Sequence, residues 1–483
     1  MEEKVKVTKR AVTVNFIWKF AEAICTQGVT FIVSMVLARL LNPEDYGIVS
    51  IINVFIAIAN VVITSGFQSA LIQSKNADEV DFSSVLYLNL SIAAIIYSIL
   101  FGCAPFIEKF YNISDLTSVV RVLGIQIILY AFNSVQRAYV SKCMQFKKFF
   151  FSTLIGTVIS GALGIILAYN GYGVWALVIQ IMSNTAFDSL VLLVTFKWRP
   201  KLIFSINKVK RLFSYGWKML VSGIVCSTYE QLSNLIIGKC YSASSLAFYN
   251  RGQSYPSLLV STINSSLGSV LFPAISNVQD EIAQVKNMTR RSIQLSSFFI
   301  WPMMIGMMVV AKSFVIVFFT AKWIECVPYI QIFCLVYALY PIHTANLSAI
   351  QAIGRSDLFL KLEIYKIIVG FIIMLITVNI SAKAIAIGMV ITGILSSIIN
   401  AAPNKKILSY SYIEQIKDQM CAIIAAVLMG VIITTWKYVI LNNIVLLIIQ
   451  IITGALSYFL ISLVINRKIV SYFLQIIKNK EKV

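Results

Sequence analysis

The sequence has little charge, and most of the charge it has is of one sign. Of its 483 residues, 12% are charged and 59% are hydrophobic, and Lys and Arg outnumber Asp and Glu by 40 to 20. A soluble domain carries about 25% charged residues, and half that amount cannot cover the surface of a globule of this size. With a mean hydropathy of +0.84, the composition excludes a soluble enzyme, a nucleic-acid-binding domain and a secreted disulfide scaffold. It predicts a protein with many membrane spans.

Residues that bind metals or nucleotides are also scarce. The chain has one histidine, His343, and none of its eight cysteines forms a C-x-x-C pair. Because zinc and iron–sulfur sites need clustered soft ligands, we expect no metal site. The sequence contains neither a P-loop nor a G-x-G-x-x-G motif, which excludes nucleotide hydrolysis by this chain. We therefore expect no cofactor.

Long apolar runs fill most of the chain. A helix that crosses about 30 Å of hydrocarbon needs roughly 20 mainly apolar residues, and fourteen such segments follow one another between residues 14 and 465. No connection is long enough to fold as a soluble domain, and the basic start leads into the first run without a signal-peptide cleavage site. The expected fold class is an all-α polytopic membrane protein with about 14 transmembrane helices.

Lys and Arg are distributed unequally between the two ends of these segments. If the amino terminus is cytoplasmic and the connections alternate sides, 28 of the 40 basic residues lie on the cytoplasmic side, 7 lie outside and five lie at membrane depth. Such an excess follows the positive-inside rule. We therefore expect an even number of spans with both termini in the cytoplasm.

The first and seventh spans begin alike. Residues 16–20 read FIWKF and residues 215–219 read YGWKM, each after a basic stretch, and each span ends in a short turn into the next helix. Because six spans separate the copies, both halves insert in the same orientation, as in transporters built from parallel repeats. The repeat predicts two pseudo-symmetric lobes of six helices: an N-terminal lobe (1–200), an amphipathic interfacial linker (201–216), a C-terminal lobe (217–404), and two peripheral helices with a basic cytoplasmic tail (405–483).

Two short motifs resemble those of a known family. Residues 38–47, ARLLNPEDYG, resemble the turn after the first span of polysaccharide flippases. Residues 248–251, FYNR, followed by residues 270–276, VLFPAIS, resemble the eighth-span signature of the same group. The chain thus resembles a Wzx-type oligosaccharide flippase of the polysaccharide transporter family, nearest the branch that exports teichuronic- and colanic-acid-type repeat units. The superfamily also contains multidrug and toxin extruders and the lipid II flippase.

The resemblance implies a function, a location and partners. The function is to move an undecaprenyl-diphosphate-linked oligosaccharide from the inner to the outer leaflet of the bacterial cytoplasmic membrane by alternating access, for surface polysaccharide biosynthesis. The implied partners are this polyprenyl-diphosphate-linked oligosaccharide, membrane lipids, a polysaccharide polymerase and glycosyltransferases, and no nucleic acid. The protein is expected to be a transporter and not an enzyme.

Ionisable residues at membrane depth are the candidate site residues, because a diphosphate needs a hydrated cationic cleft to cross hydrocarbon. The primary candidates for the lining of that cleft are Lys19, Glu22, Arg39, Lys218, Glu230 and Arg251. The secondary candidates are Asp188, Glu363 and Lys366.

Each class of candidate has a structural alternative. Lys19 and Lys218 lie near their boundaries and can snorkel back to the interface. Arg39 can be an outer-mouth cation or part of a turn, and Asp188 can face the cleft or cap a neighbouring helix. Glu363 and Lys366, spaced i, i+3, favour a structural pair. The lone His343 favours a hydrogen-bonded interior residue over a proton-coupling site.

Two further features carry mechanical predictions. Spans eight to ten hold or adjoin Pro256, Pro302, Pro328 and Pro341, which indicates either bending of the second lobe or static kinks. The segment 197–218 mixes aromatic and aliphatic side chains with basic ones, which predicts a strip in the cytoplasmic interface that binds anionic headgroups and tethers the lobes.

Two other functions stay open at this point. A cation-coupled multidrug/toxin extruder would favour a net acidic cavity, whereas the intramembrane charges here are roughly balanced. A membrane-embedded polysaccharide polymerase should have a large outward loop, and a glycosyltransferase a soluble nucleotide-binding domain, and the sequence has neither.

Overall fold

The computed structural model describes residues 9–64, 67, 71, 78–142, 146–195, 199–276, 278–440, 442–467 and 469–471. Within these ranges the side chains of some helical residues, Lys218 among them, lie outside the description. Every regular element in the described residues is a helix, and eleven helical segments are long and apolar enough to cross a membrane. The predicted all-α polytopic fold class is confirmed.

The chain divides into two compact units, residues 1–247 and 248–483. The helices of the first unit are α1 (Lys9–Leu40), α2 (Pro43–Thr64), α3 (Glu79–Tyr111), α4 (Leu116–Gly124), α5 (Gln126–Lys142), α6 (Phe146–Tyr169), α7 (Val174–Thr195) and α8 (Ile206–Cys240). Its most extensive helix pairings join α6 to α7 and to α1, and α2 to α8. The next helix, α9 (Ala243–Ser276), begins at the end of this unit and continues into the second.

The second unit continues with α10 (Ile282–Phe319), a 3-10 turn (Ala321–Cys326), α11 (Val327–Ala338), α12 (Tyr340–Ala352), α13 (Ser356–Thr377), α14 (Ala382–Ile407), α15 (Tyr412–Thr435), a second 3-10 turn (Trp436–Tyr438) and α16 (Asn443–Ile465). Helix α15 packs along α10, and α16 packs on both. The last two helices are therefore part of the second compact unit.

Three long helices are not among the eleven spans. They are α8, α9 and α13, which occupy the positions of the predicted seventh, eighth and eleventh spans. In α13 the cause is charge, since Asp357, Lys361, Glu363 and Lys366 all lie within its 22 residues. Among the eleven spans, α4 with α5 and α11 with α12 each form one crossing. Together with these three helices, the spans of the described residues match the fourteen predicted segments.

Helix α8 differs from what the sequence predicts for the linker and the second lobe. It is one continuous helix of 35 residues from Ile206 to Cys240, so most of the predicted linker forms its first three turns. It packs against α2 and α3 within the first unit. At its start, the backbone N–H of Ser205 donates to the hydroxyl of Ser84 at 3.0 Å. Local packing thus places 217–239 in the first compact unit, whereas the pseudo-symmetric division into lobes stays a prediction.

Carboxylates at the start of α3 bind two basic residues of the predicted linker. Lys201 Nζ lies 2.6 Å from Glu79 Oε2, and Lys208 pairs with Asp78 and, at 3.7 Å, with Asp81. Asp78 and Asp81 also form a capping box at the N-terminus of α3, where carboxylates are favourable. These two lysines therefore bind protein carboxylates in this structure. The predicted contact of the strip with lipid headgroups stays a prediction for its other basic residues.

A buried network of amide side chains joins three helices of the second unit. Asn346 of α12 donates to Gln415 Oε1 of α15 at 2.7 Å and accepts from Asn404 of α14 at 2.6 Å. One turn further along α15, Gln419 accepts from Ser297 of α10 at 2.9 Å. Because hydrocarbon offers no substitute partners, this network fixes how α15 docks.

The prolines have two different effects. Pro302 lies inside α10, whereas Pro328 and Pro341 lie in the first turns of α11 and α12. In a first turn the missing N–H breaks no helical hydrogen bond. The tenth span is therefore two helices that meet at Leu339. Bending and static kinks both stay predictions.

Candidate functional site

Two ion pairs of the first unit lie beside one aromatic ring. We call this group the first-unit cluster: Lys19, Glu22, Arg137, Asp188 and Phe149. In the first pair, both on α1, the ammonium Nζ of Lys19 lies 2.5 Å from Glu22 Oε2. The hydroxyl of Thr153 on α6 donates to the other oxygen of Glu22 at 3.3 Å. The shared helix face that the i, i+3 spacing predicts for Lys19 and Glu22 is confirmed.

The second pair joins two helices. Arg137 of α5 donates from Nη2 to Asp188 Oδ2 of α7 at 2.7 Å. Asn133, one turn before Arg137, donates to the same oxygen at 2.8 Å and to the hydroxyl of Ser189 at 3.0 Å. Asp188 therefore accepts two hydrogen bonds from side chains of α5 and does not cap a helix end through them. That it faces the cleft stays a prediction.

Phe149 of α6 links the two pairs. The Lys19 ammonium lies 5.4 Å and the Arg137 guanidinium 5.8 Å from the centroid of its ring, within the range of cation–π attraction. Both cations thus contact one ring although their carboxylate partners lie on different helices.

The cations and carboxylates of the cluster differ in exposure. The side chains of Lys19 and Arg137 are 55% and 42% exposed, whereas those of Glu22 and Asp188 are 10% and 4% exposed. A buried carboxylate holds its cation in a defined position, and the cation keeps N–H donors on its exposed side. This arrangement suits an anionic ligand, and a diphosphate, with several acceptor oxygens, matches two neighbouring cations.

Arg137 is the residue of this cluster that sequence reasoning missed. The count of basic residues by side places Arg137 in a cytoplasmic segment, whereas α5 extends to Lys142 and includes it. A signal was present: Asn133 and Arg137 are spaced i, i+4 and so share a helix face, and Asp188 is a lone acid in an apolar run that requires a partner.

The second unit contains one of the predicted pairs. Lys366 Nζ lies 2.5 Å from Glu363 Oε1 on α13, as the i, i+3 spacing predicts. Nearby in the fold, the side-chain amide of Asn400 on α14 lies 3.0 Å from Nδ1 of His343 on α12. His343 is thus hydrogen-bonded between helices, as its structural alternative predicts.

Arg251 lies on α9 among aromatic side chains of the second unit. Its guanidinium carbon is 5.5 Å from the Trp323 ring centroid, and Nη1 is 3.4 Å from the Tyr255 hydroxyl. The neighbouring Tyr249 of the FYNR motif is buried, with its ring 5.0 Å from that of Phe333. The motif therefore combines core packing with one half-buried cation.

The other primary candidates are placed less specifically. Arg39 and Glu230 are exposed, and the side chain of Lys218 lies outside the description. In the turn that follows Arg39, the backbone N–H of Asn42 donates to Asp45 Oδ2 at 3.0 Å, which is the geometry of a helix start. A role in substrate binding stays a prediction for all three candidates.

A search of the described residues finds no group of three or more His, Cys, Asp or Glu side chains able to hold a metal ion.

Comparison with known proteins identifies the family. Residues 36–328 match the family model described as polysaccharide biosynthesis protein. The chain belongs to this family. Both sequence motifs, residues 38–47 and 248–276, fall within the matched range, and the predicted membership is confirmed.

The matches to two relatives span most of this chain. It is 23% identical over 401 residues to the lipopolysaccharide biosynthesis protein WzxC of Escherichia coli (strain K12), which covers 81% of this chain and 79% of that protein. It is 26% identical over 306 residues to the teichuronic acid biosynthesis protein TuaB of Bacillus subtilis (strain 168), which covers 62% of each. The teichuronic-acid relative lies in the branch that the motifs predict.

Its fold resembles that of a solved flippase. The lipid II flippase MurJ in its inward closed conformation superposes with a TM-score of 0.75 over 95% of this chain and 100% of that chain, at 15% identity. Identity this low shows a shared fold alone. The chain is thus a multi-pass membrane protein that shares its fold with MurJ.

Proposed function

We propose that this protein is a flippase that moves an undecaprenyl-diphosphate-linked oligosaccharide from the inner to the outer leaflet of the bacterial cytoplasmic membrane. The observation that carries the proposal is the first-unit cluster, in which two exposed cations are held by two buried carboxylates. A family whose members take part in polysaccharide biosynthesis needs to bring lipid-linked sugars across the membrane, and the diphosphate is the part of such a molecule that hydrocarbon resists most.

The cluster is suited to a ligand that must be released again. Lys19 and Arg137 each have a permanent carboxylate partner, so they are stable at membrane depth without a ligand. An arriving diphosphate shares these cations with their carboxylates. The cations are already held at membrane depth, so binding does not require their transfer from water. Such sharing limits affinity, which a carrier that releases its cargo on the other side requires.

The rest of the proposal concerns how the transport is organised. Two lobes alternate in opening a cleft to each side, with both termini in the cytoplasm, as the excess of basic residues predicts. Arg39, Lys218, Glu230 and Arg251 stay the sequence-based candidates for further contacts with the cargo. Glycosyltransferases act before this step and a polymerase acts after it. The protein itself performs no covalent chemistry.

The charge arrangement favours the flippase over the extruder. An extruder of organic cations needs carboxylates that face the ligand, whereas Glu22 and Asp188 are the buried members of their pairs. The cationic members face outward from the packed protein, which suits an anion.

Translocation in proteoliposomes tests the proposal. A fluorescent polyprenyl-diphosphate oligosaccharide is placed in the inner leaflet, and its arrival outside is measured with a membrane-impermeant quencher. The wild type should translocate it, and Lys19→Glu and Arg251→Glu should each slow translocation by at least about tenfold, the effect of losing one charge-assisted contact. Lys383→Glu, at an exposed position in the first turn of α14, serves as the matched charge-reversal control.

The possible results of this assay test the flippase function and the assignment of the site residues separately. A wild type that fails to move the lipid but expels a fluorescent organic cation would overturn the flippase in favour of the extruder. Normal translocation in both variants would leave the flippase in place and overturn the assignment of Lys19 and Arg251.

A further inference from the structure

The first unit has an apolar groove that the proposed transport does not use. It has a volume of about 500 Å³ and lies where α3 and α8 end, against α2. Its walls include Phe55 of α2, Cys103, Phe106 and Phe110 of α3, and Leu235 and Lys239 of α8. On the predicted topology, this end of the helices faces the outer leaflet.

The groove runs along the helices. The positions of Cys103 and Phe110 differ by seven residues, or about 10 Å along α3. Lys239 lies in the last turn of α8 and Phe110 in the last turn of α3, so the polar end of the groove coincides with the helix ends. The apolar part extends from there toward the membrane centre.

One charged side chain marks the polar end. Among the described residues that line the groove, Lys239 alone is charged. Its ammonium donates to the carbonyl oxygen of Phe110 and lies 4.3 Å from the centroid of that ring. An ammonium has three N–H donors, so this contact orients Lys239 over the groove mouth and leaves it able to bind an anion.

We propose that this groove binds one anionic glycerophospholipid of the outer leaflet, with an acyl chain along α3 and α8 and the phosphodiester on Lys239. The positions match, because a lipid phosphate lies at the interface and its chain extends inward. The charges also match, because the single positive charge of Lys239 balances the single negative charge of a phosphodiester. A diphosphate carries at least two negative charges, and the groove offers it one cation.

Native mass spectrometry tests this site without requiring transport. The protein is reconstituted in bilayers of phosphatidylglycerol and phosphatidylcholine in equal amounts, extracted in mild detergent and weighed. One phosphatidylglycerol per chain should be retained in preference to phosphatidylcholine. Lys239→Gln should lower its retention about fivefold, as expected for one Lys at a membrane surface, whereas Lys239→Arg should preserve it.

A control on the same helix end separates the groove from surface charge. Lys109 of α3 lines a neighbouring polar pocket with Glu108 and Asn112 and is not part of the groove, so Lys109→Gln should retain the lipid. Cys103→Trp, which fills the apolar part and leaves the charge, should lose it.

Three results would overturn the site: no retained lipid in the wild type, equal loss in the Lys109 and Lys239 variants, or displacement of phosphatidylglycerol by an equal amount of polyprenyl phosphate. Because the measurement needs no translocation, its failure leaves the proposed flippase untouched.

Discussion

At the scale of single residues, three ion pairs of the described residues share one pattern, in which the carboxylate is buried and the cation is more exposed. The pattern holds for Lys19–Glu22 and Arg137–Asp188, and again for Arg290, whose side chain is 50% exposed, with Asp418 at 5%. Long Lys and Arg side chains can reach polar surroundings while the short carboxylates stay among the helices. The exposed partner is therefore the one available to a ligand, and the buried partner is the one that stability depends on.

We predict that Arg137→Gln and Asp188→Asn each lower both translocation and stability. Arg137→Gln should slow lipid translocation about tenfold and lower the Tm, because the buried carboxylate of Asp188 keeps its hydrogen bond from Asn133 but loses its cation. Asp188→Asn should lower both, since Asp188 accepts two hydrogen bonds from α5 while buried, and charge-assisted bonds contribute about 1.5–3 kcal/mol each. Translocation rates and thermal unfolding in detergent measure the two effects.

The matched control for Arg137 is Arg121, which lies 4.2 Å from the Phe101 ring centroid and is not part of the cluster. Arg121→Gln should translocate as the wild type does. If it slows transport as much as Arg137→Gln, a general loss of positive charge explains both, and the cluster has no special role.

A pH-dependent contribution to stability is expected at the start of α3. Burial acts to raise the pKa of Asp78, but hydrogen bonds from Lys208 and Asp81 outweigh it and lower the pKa from 3.8 to about 2. A lowered pKa stabilises the folded state above pH 4, and this stabilisation is lost as the pH falls from 4 toward 2. Asp78→Asn should therefore lower the Tm by about 2 °C at pH 7, and the difference should shrink toward pH 3.

Thermal unfolding at several pH values checks this prediction. Asp115→Asn is the control, because Asp115 precedes α4 without a side-chain capping bond, at a positive φ of 62° that Asn tolerates. A Tm difference for Asp78→Asn that stays constant between pH 7 and pH 3 would contradict the role of its ionised form.

At the scale of elements, helix contacts in this chain depend on glycines, which lack a side chain, as well as on the side chains that pack. A Cβ at Gly252 of α9 would lie 2.3 Å from Tyr329 Cβ and 2.9 Å from the Tyr329 carbonyl carbon. A Cβ at Gly47 of α2 would lie 1.9 Å from the carbonyl oxygen of Ala243. Both glycines belong to or adjoin the two family motifs, which indicates that these motifs specify close helix packing besides any contact with substrate.

We predict opposite effects for two Gly→Ala substitutions. Gly252→Ala should destabilise the protein by about 1–3 kcal/mol, because the backbone of α11 at Tyr329 must shift. Gly102→Ala in α3, where nothing lies within 4 Å of the added Cβ, should be neutral or stabilise by up to about 1 kcal/mol through helix propensity. The Tm of each purified variant measures the effect, and equal changes would exclude the steric explanation.

At the scale of the whole molecule, the two compact units and the two predicted lobes have their boundaries at different positions in the sequence. The repeat predicts a second lobe from residue 217, whereas the compact units divide at residues 247 and 248. The reason lies in α8, whose packing on α2 and α3 places it in the first unit despite its similarity to α1. A sequence repeat reflects the origin and the membrane insertion of a chain. Packing decides which helices form a compact unit.

The predicted orientation can be tested on one helix. Lys383 and Lys405 lie near the two ends of α14, and both are exposed. In a background without the eight native cysteines, Lys383→Cys should react with a membrane-impermeant maleimide on intact cells. Lys405→Cys should react only after permeabilisation, and the reverse labelling would invert the topology.

Much of the fold follows from the sequence because the bilayer acts on consecutive residues. Each span must by itself supply about 20 apolar residues and satisfy its own backbone hydrogen bonds, so helical class and span positions are local properties. The same holds for Lys19 with Glu22 and Glu363 with Lys366, which are neighbours on one helix face.

Only the tertiary structure decided which helices meet and which side chains they bring together. The sequence by itself determined an all-helical membrane protein of this family, with its charged residues at membrane depth. It did not determine the Arg137–Asp188 pair, the position of α8, the amide network around Asn346 or the groove at Lys239. The physical reason is that lipid chains are as apolar as the helix surfaces they cover, so hydropathy carries no information about partners. Close packing and polar contacts between distant segments select them.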